Sequence, residues 1–209
     1  MKRGGYALAT SIKHSLNPHN AEFLLARGVA HQQAGQAEKA LADYAEAVRL
    51  EPGNPRGAFG RAALYAQQGD HARAVVNFSQ ALRLDPEFGA AWVGRGKSYQ
   101  GLGDDERALA DYREALHLQP DEASLYYNRG LIYHRRGQTE LALADYTAAT
   151  RLNPQDAAAH YNLACLLAGQ QRAAEALAHL RQALTLNPDY QAQAQTDPDL
   201  AALQNLPGS

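Results

Sequence analysis

The sequence predicts an all-α protein made of a tandem repeat, in which every 34-residue repeat folds into a pair of helices. The first observation is a set of prolines at intervals of 34 residues, namely Pro18, Pro52, Pro86, Pro120, Pro154 and Pro188. The second is two series of alanines with the same period, Ala40, Ala74, Ala108, Ala142 and Ala176, and Ala47, Ala81, Ala115, Ala149 and Ala183. The third is that no run of alternating Val, Ile or Thr indicates a β-strand. These observations define five repeats, at 21–54, 55–88, 89–122, 123–156 and 157–190.

Each repeat contains signals for two helices, and the position of a residue within its repeat is called its column. Columns 1–14 predict a first helix, because large residues recur there at helical spacing, and columns 17–30 predict a second. Column 15 is glycine in the first four repeats, and glycine readily adopts the left-handed conformation that ends a helix. Asp70 and Asp104 follow this glycine, where an aspartate caps the next helix. Proline at column 32 cannot continue the second helix but tolerates the start of another.

The repeats also share a fixed order of large and small residues. Column 8 is small, columns 20 and 27 are alanine, column 32 is proline and column 11 is large in all five repeats. Column 4 is large in every repeat but the second, and column 24 is aromatic in the first four. The third repeat has the complete set, Trp92, Gly96, Tyr99, Ala108, Tyr112, Ala115 and Pro120. This pattern resembles the tetratricopeptide repeat (TPR) family over residues 21–190. The resemblance implies a right-handed α-solenoid of five TPR hairpins with helical ends, because a single hairpin cannot bury its apolar face alone.

Both ends of the chain are expected to cover the outermost repeats. Residues 1–20 predict an N-terminal helix that resembles part of a repeat. Residues 191–209 predict a capping helix and a tail, in which Asp197 begins the helix and Leu200, Leu203 and Leu206 form a short apolar stripe.

Composition and charge narrow the possible classes of function. The 209 residues carry a net charge of −2, which provides no basic field for nucleic acid or anionic lipid. A single cysteine, Cys165, excludes an intrachain disulfide, and no apolar run is long enough to span a membrane. We therefore expect a cytoplasmic protein without membrane or nucleic-acid partners, and its arginine-rich and alanine-rich composition suggests a bacterial source.

The sequence indicates no catalytic, cofactor or metal site. The eight histidines are scattered, and none stands at ligand spacing beside a carboxylate. Residues 91–98, AWVGRGKS, resemble a phosphate-binding loop that ends with Gly96-Lys97-Ser98, but alanine replaces its first glycine and the stretch falls inside a predicted helix. Cys165 lies in an apolar run and is expected to be a packed residue. The protein is therefore predicted to be non-enzymatic.

A ladder of arginines occupies column 7, sixteen residues before an acidic or amide residue at column 23. The arginines are Arg27, Arg61, Arg95 and Arg129, and their counterparts are Asp43, Asn77, Asp111 and Asp145. These two columns lie close together in an antiparallel hairpin that turns near column 16. We expect structural ion pairs between arginine and aspartate within a hairpin, rather than a ladder for anionic ligands.

The resemblance also implies a binding surface, since the first helices of TPR proteins line a concave groove at columns 2, 5, 6, 9, 12 and 13. The residues expected to bind a peptide there are Arg56, Phe59, Lys97, Tyr127, Asn128, His134, Tyr161 and Asn162. Asparagine can bond a ligand backbone as donor and acceptor, tyrosine supplies rigid contact area, and the cations suit an acidic segment. The lysine at column 5 that characterises members holding chaperone C-termini is absent from every repeat.

The sequence therefore predicts a non-enzymatic protein-interaction scaffold or adaptor that holds a peptide or a helix in the concave groove. One alternative is a recruiting or regulatory segment of a larger enzyme or of a secretion or assembly machinery. Two others are a helical repeat that binds nucleic acid and a solenoid that assembles into homo-oligomers. The groove could also be filled by the chain's own tail or by a second copy.

Overall fold

The computed structural model describes residues 20–201, so the predictions for residues 1–19 and for Leu203 and Leu206 lie outside the described residues. The chain divides into two compact units, an N-terminal unit that ends at Leu118 and a C-terminal unit that begins at Gln119. Every regular element within the described residues is helical.

The N-terminal unit contains three helical hairpins. Its helices are α1 (Ala21–Gln33), α2 (Ala37–Leu50), α3 (Pro55–Gln67), α4 (His71–Leu84), α5 (Gly89–Gly101) and α6 (Asp105–Leu118). The C-terminal unit contains two more hairpins and a short end segment. Its helices are α7 (Ala123–Arg135), α8 (Thr139–Leu152), α9 (Ala157–Gly169), α10 (Ala173–Leu186) and α11 (Tyr190–Thr196), followed by a 3₁₀ turn (Pro198–Leu200). Helices α1–α10 occupy columns 1–13 and 17–30 of the five repeats, which confirms the predicted helix pairs.

The turn inside each hairpin has the predicted left-handed residue at column 15. Gly35 has a φ of +72°, and the glycines of the next three repeats have similar values. Gln171 takes the same conformation, with a φ of +60°, in the fifth repeat. The predicted cap is also present, because Oδ1 of Asp70 accepts a hydrogen bond from the N–H of Arg73 at 2.9 Å. Turn and cap together fix where the second helix begins.

The core of each hairpin follows the fixed order of large and small residues. The aromatic rings at column 24 are buried, and the alanines at columns 20 and 27 are buried as well. Column 8 must be small because the ring lies against it. A Cβ added to Gly28 would lie 2.7 Å from Cε1 of Tyr44, and one added to Gly130 would lie 2.8 Å from Cε1 of Tyr146. Packing therefore explains why these columns repeat.

The predicted Arg–Asp pairs join the two helices of three hairpins. In the third repeat, Asp111 accepts hydrogen bonds of 2.8 Å from both Nε and Nη2 of Arg95. The pairs in the first and fourth repeats have the same two-bond geometry, with shortest distances of 2.6 Å and 2.7 Å. The hydrogen bond to Asp111 raises the pKa of Arg95, whereas burial raises the pKa of Asp111 and the bond from Arg95 opposes that effect. In the second repeat, Asn77 instead donates to the carbonyl oxygen of Arg73 at 2.8 Å.

In the fifth repeat Leu163 and His179 replace the ion pair, and His179 instead contacts His160, which stands at column 4. His160 and His179 stack with ring centroids 5.1 Å apart, and their Nδ1 atoms are 2.9 Å apart. Nε2 of His160 lies 3.2 Å from the carbonyl oxygen of Pro154 and therefore donates to it. A neutral His160 must then accept at Nδ1, so His179 donates from its own Nδ1.

Candidate functional site

An apolar pocket opens in the N-terminal unit between the first helices of the first two repeats. Its volume is about 300 Å³. The residues that line it are Leu25, Ala26, Val29 and Gln32 of α1, Arg56, Phe59, Gly60 and Ala63 of α3, and Tyr44 and Phe88. All of the α1 and α3 residues stand at columns 2, 5, 6, 9 or 12, which are the columns that the sequence analysis assigned to ligand contacts.

Aromatic rings shape this pocket. The ring of Phe59 lies 4.7 Å from that of Phe88 and meets that of Phe78 edge-on at 5.6 Å. Gly60 leaves room for a further ring, because a Cβ at that position would lie 2.6 Å from Cε1 of Tyr44. Val29 remains 47% exposed although its side chain is apolar. The sequence analysis missed Tyr44 and Phe88 because the first serves the core and the second stands near the end of its repeat.

The polar groups of the pocket bond to one another. Nη1 of Arg56 lies 2.6 Å and 2.7 Å from the two carboxylate oxygens of Glu22, and both side chains are more than half exposed. Oε1 of Gln32 accepts a hydrogen bond of 2.9 Å from the hydroxyl of Tyr44. Nε2 of Gln32 donates to Oε1 of Gln67 at 2.9 Å. The pocket therefore presents an apolar surface with an exposed ion pair beside it.

Lys97 lies on α5 of the same unit, where its side chain is exposed. It does not line the pocket. The glycine-rich stretch 91–98 is helical throughout, and a Cβ at Gly96 would lie 3.2 Å from the ring of Tyr112. This stretch is therefore part of a packed helix, as the sequence analysis expected, and its amide groups are engaged in the helix.

The predicted tyrosine and asparagine residues of the C-terminal unit meet across α7 and α9. Nδ2 of Asn162 donates to the hydroxyl oxygen of Tyr127 at 3.2 Å. Burial raises the pKa of Tyr127, so its hydroxyl remains a neutral donor. Asn128 is half-buried, and among the described residues neither its side chain nor the amide oxygen of Asn162 has a hydrogen-bond partner. These amide groups are available to a ligand.

The hydroxyl of Tyr146 is a buried donor without a hydrogen-bond partner among the described residues. In the third repeat the corresponding hydroxyl, that of Tyr112, donates to Oε1 of Gln100, and the first repeat has the same bond. His134 replaces glutamine at this column in the fourth repeat. Its ring meets that of Tyr146 edge-on, with centroids 6.3 Å apart. The sequence analysis named His134 as a ligand contact but missed this consequence, although the exchange at column 12 is visible in the sequence.

Tyr161 lies beneath the C-terminal segment, defined as residues 190–200. It is 3% exposed, and its ring stacks on that of Tyr190 with centroids 4.8 Å apart. Its hydroxyl donates to Oδ2 of Asp197 at 2.8 Å. The sequence analysis placed the start of a capping helix at Asp197, whereas Asp197 precedes a 3₁₀ turn and the helix α11 ends before it. The C-terminal segment therefore occupies the surface of Tyr161 that the sequence analysis assigned to a ligand.

Cys165 is buried beside Tyr161, as expected for a packed residue. Among residues 20–201, no group of three or more His, Cys, Asp and Glu side chains is placed to hold a metal ion. Over the same residues, no helix combines the length and the apolar character needed to cross a membrane.

Comparisons with known proteins agree with the repeat geometry. Family models described as tetratricopeptide repeat match residues 96–161 and residues 21–54 and 157–190, and a model described as TPR repeat matches residues 62–103. No curated protein sequence matches the chain.

Three solved structures illustrate the likeness in fold. A MamA structure from Desulfovibrio magneticus RS-1 is 23% identical, with a TM-score of 0.73, and the match covers 82% of this chain and 97% of that one. YrrB, described as a TPR protein with an unusual peptide-binding site, is 24% identical, with a TM-score of 0.70 and coverage of 88% and 94%. PilF of Pseudomonas aeruginosa is 17% identical, with a TM-score of 0.71 and coverage of 90% and 93%. These likenesses confirm the predicted fold class, an α-solenoid of helical hairpins.

Proposed function

Because the chain belongs to the tetratricopeptide repeat family, we propose that it is a non-enzymatic interaction scaffold that captures a peptide segment or a helix of a partner protein. The observation that carries this proposal is the apolar pocket of the N-terminal unit, which the first helices of two neighbouring repeats line. Concave apolar surface that the chain itself leaves unfilled is characteristic of binding sites.

The size of the pocket suits one or two side chains of a peptide. Its volume of about 300 Å³ is at the lower end of the roughly 300–1,000 Å³ that small-molecule sites occupy. Val29 and Phe59 offer apolar contact to an anchoring side chain. Complete burial of a Leu or Phe anchor would stabilise the complex by about 1.5–3 kcal/mol. The anchor is therefore expected to dominate the affinity of this unit.

The exposed ion pair beside the pocket favours an acidic residue next to the anchor. A surface pair such as Arg56–Glu22 contributes about 0.2–1 kcal/mol. A carboxylate of the partner can therefore replace Glu22 at the guanidinium of Arg56 at little cost. Lys97, exposed on the same unit, adds positive charge that attracts the same kind of segment.

The C-terminal unit provides groups for the peptide backbone. The amide oxygen of Asn162 and the side chain of Asn128 can pair with the N–H and C=O groups of an extended segment. Tyr127 provides rigid contact area beside them. The description of YrrB as a peptide-binding TPR protein supports peptides as the ligand class. The residues of this chain that contact the peptide then determine which segment it binds.

Two exposed valines of the N-terminal unit allow a controlled test. Val29 lines the pocket, whereas Val76 on α4 does not and is 66% exposed. Val29→Asp places a charge in the pocket and is expected to reduce partner recovery in quantitative pull-downs at least ten-fold. Val76→Asp is expected to leave recovery unchanged, and circular dichroism should show the same helicity for both. Equal recovery by the two variants would contradict the assignment of the pocket.

A second variant tests the C-terminal unit separately. Tyr127→Ala/Asn128→Ala removes contact area and a backbone-binding amide, and it should weaken binding of the same partner. The exposed Leu141 on α8 supplies the matched control, since Leu141→Ala alters the surface of this unit away from the first helices. If the double variant retains the partners of the wild-type protein at equal affinity, these residues do not form part of the binding surface.

A further inference from the structure

The C-terminal segment lies on the first helix of the last repeat in the manner of a bound peptide. Oδ2 of Asp197 accepts a hydrogen bond of 2.8 Å from the hydroxyl of Tyr161 and lies 3.7 Å from the thiol sulfur of Cys165. Leu200, three residues later, is 1% exposed in the apolar cluster that includes α9. Tyr190, seven residues before Asp197, stacks on the ring of Tyr161. Three side chains of one segment thus contact one helix face.

The donors on α9 make this face selective for a carboxylate. Burial raises the pKa of both Tyr161 and Cys165, so the hydroxyl and the thiol remain protonated at physiological pH. Both groups then need an acceptor, and bonds to an ionised acceptor are about twice as strong as neutral ones. The other oxygen of Asp197 accepts from the N–H of Asp199 at 3.0 Å, which forms the turn that directs Leu200 inward. The face of α9 therefore contacts the carboxylate of Asp197 and the side chain of Leu200 as parts of the same turn.

The helix of the C-terminal segment, α11, is short and has little stability of its own. Within α11 as described, Ala194 is the buried residue, and the side chain of the N-cap residue Asp189 makes no capping bond. An isolated helix of seven residues is far shorter than the roughly 12–15 residues that are marginally stable in water. The segment therefore depends on the contacts of Tyr190, Asp197 and Leu200, and loss of these contacts should allow it to open locally.

We propose that this face of α9 is a docking site for a partner segment with a carboxylate three residues before a leucine and an aromatic residue about seven residues before the carboxylate. The chain's own residues 190–200 supply this pattern and compete with the partner. The inference rests on the proposed function, since it assigns the chemistry of a bound segment to the first helix of the last repeat. It adds a regulatory consequence, because the partner must displace the C-terminal segment.

The attached C-terminal segment competes strongly with an external peptide because it is covalently linked to the last repeat. A short connection gives the attached segment an effective concentration on the order of 1 mM. If the free segment binds the open site with a Kd of about 100 µM, the attached copy weakens an external competitor roughly ten-fold. Variants that release the attached segment should therefore increase the affinity for an external peptide by about this factor.

A peptide of residues 190–200, YQAQAQTDPDL, is the probe. Labelled at its N-terminus and amidated, it is titrated by fluorescence polarisation with the full-length wild-type protein and with Asp197→Asn/Leu200→Ala. The double variant, whose attached segment is weakened, is expected to bind the peptide about ten-fold more tightly than the wild-type protein. A peptide carrying the same two substitutions should lose at least ten-fold in affinity. A peptide with Asp199→Asn is the matched control and should bind normally, because that residue contributes its N–H to the turn.

Three results would overturn the proposal. The first is equal binding of the peptide by wild-type protein and double variant, and the second is no binding by a double variant that circular dichroism shows to be folded. The third is a wild-type dimer in sedimentation that the double variant does not form, which would assign the site to the segment of a second copy. If the double variant melts below the assay temperature, Asp197→Asn alone supports the same comparison, because Leu200 then keeps its packing.

The test separates this inference from the proposed function. The peptide titration measures binding to α9 in competition with the C-terminal segment. The pull-downs measure binding to the pocket and to the surface formed by Tyr127 and Asn128. A partner that depends on Val29 while the peptide fails to bind would refute the α9 site alone. A peptide that binds as expected while the Val29 and Val76 variants recover equal amounts of partner would refute the pocket alone.

Discussion

The unpartnered hydroxyl of Tyr146 predicts an unusual response to mutation. Tyr146→Phe and Tyr112→Phe remove the same atom from the same column of two repeats. The hydroxyl of Tyr112 donates to Gln100, whereas that of Tyr146 is buried without a partner among the described residues. The first substitution therefore removes an unsatisfied polar group, and the second removes a hydrogen bond. We expect the two changes in stability to have opposite signs.

The magnitude follows from the cost of burying polar groups. A typical intramolecular hydrogen bond contributes about 0.5–1.5 kcal/mol, and an unsatisfied buried group costs about 1–3 kcal/mol. Tyr112→Phe should lower the free energy of unfolding by about 1 kcal/mol, and Tyr146→Phe should raise it by about 1 kcal/mol. For a chain of 209 residues, 1 kcal/mol corresponds to a change in Tm of about 2–4 °C. The two variants should therefore differ in Tm by roughly 4–8 °C.

Urea unfolding followed by circular dichroism measures this difference, provided that the slope m is the same for all variants. His134→Gln is the internal control, because it restores at column 12 the acceptor that Gln100 provides in the third repeat. In that background Tyr146→Phe should become destabilising. The reasoning is refuted if Tyr146→Phe destabilises the wild-type protein as much as Tyr112→Phe does.

Two further predictions concern the pairs that join the helices of a hairpin. Arg95→Ala and Asp111→Ala should each lower the free energy of unfolding by about 3–5 kcal/mol. Each substitution leaves a buried charge without its partner, since the side chains of Asp111 and Arg95 are only 4% and 17% exposed. The double variant should lose far less stability than the sum of the two single variants. Strictly additive losses in thermal melts would disprove coupling. Burial lowers the pKa of His179 from its usual 6.5, the repulsion that would arise if the rings of His179 and His160 were both protonated lowers it further, and Glu175 opposes these effects. The unfolded chain therefore binds the proton more readily. The stabilisation is complete above about pH 6.5 and falls as the pH decreases from there. His179→Gln should flatten this dependence between pH 7 and pH 5.5, and an unchanged slope would contradict it.

The helix pairs could be predicted from the sequence because they depend on local signals. Glycine at column 15 and proline at column 32 set the ends of the helices, and the 34-residue period placed every hairpin. The sixteen-residue spacing of Arg95 and Asp111 likewise followed from the geometry of one hairpin. Interactions within a repeat can therefore be predicted from a single sequence, because each repeat is an independent example of the same geometry.

The surface for ligands was harder to predict because it depends on contacts between repeats and with the end of the chain. The ion pair of Arg56 with Glu22 spans 34 residues and lies in two different repeats. Tyr161 shares its column with Phe59 and Tyr127, yet the C-terminal segment covers it. The sequence analysis expected the C-terminal end to cover the last repeat, but the repeat pattern does not show which side chains of that repeat it contacts. The accessibility of Tyr161 therefore depends on its contacts with Tyr190 and Asp197, which its column does not reveal.

Photo-crosslinking from the pocket is the most direct test of peptide capture. A benzophenone amino acid replaces Val29 in one protein and Val76 in another, since both valines are exposed and only the first lines the pocket. After irradiation in the source cell or its lysate, we predict crosslinks to a partner segment from position 29 and none from position 76. The account is contradicted if the partner crosslinks equally from both positions, or if it is retained by the protein while position 29 forms no crosslink.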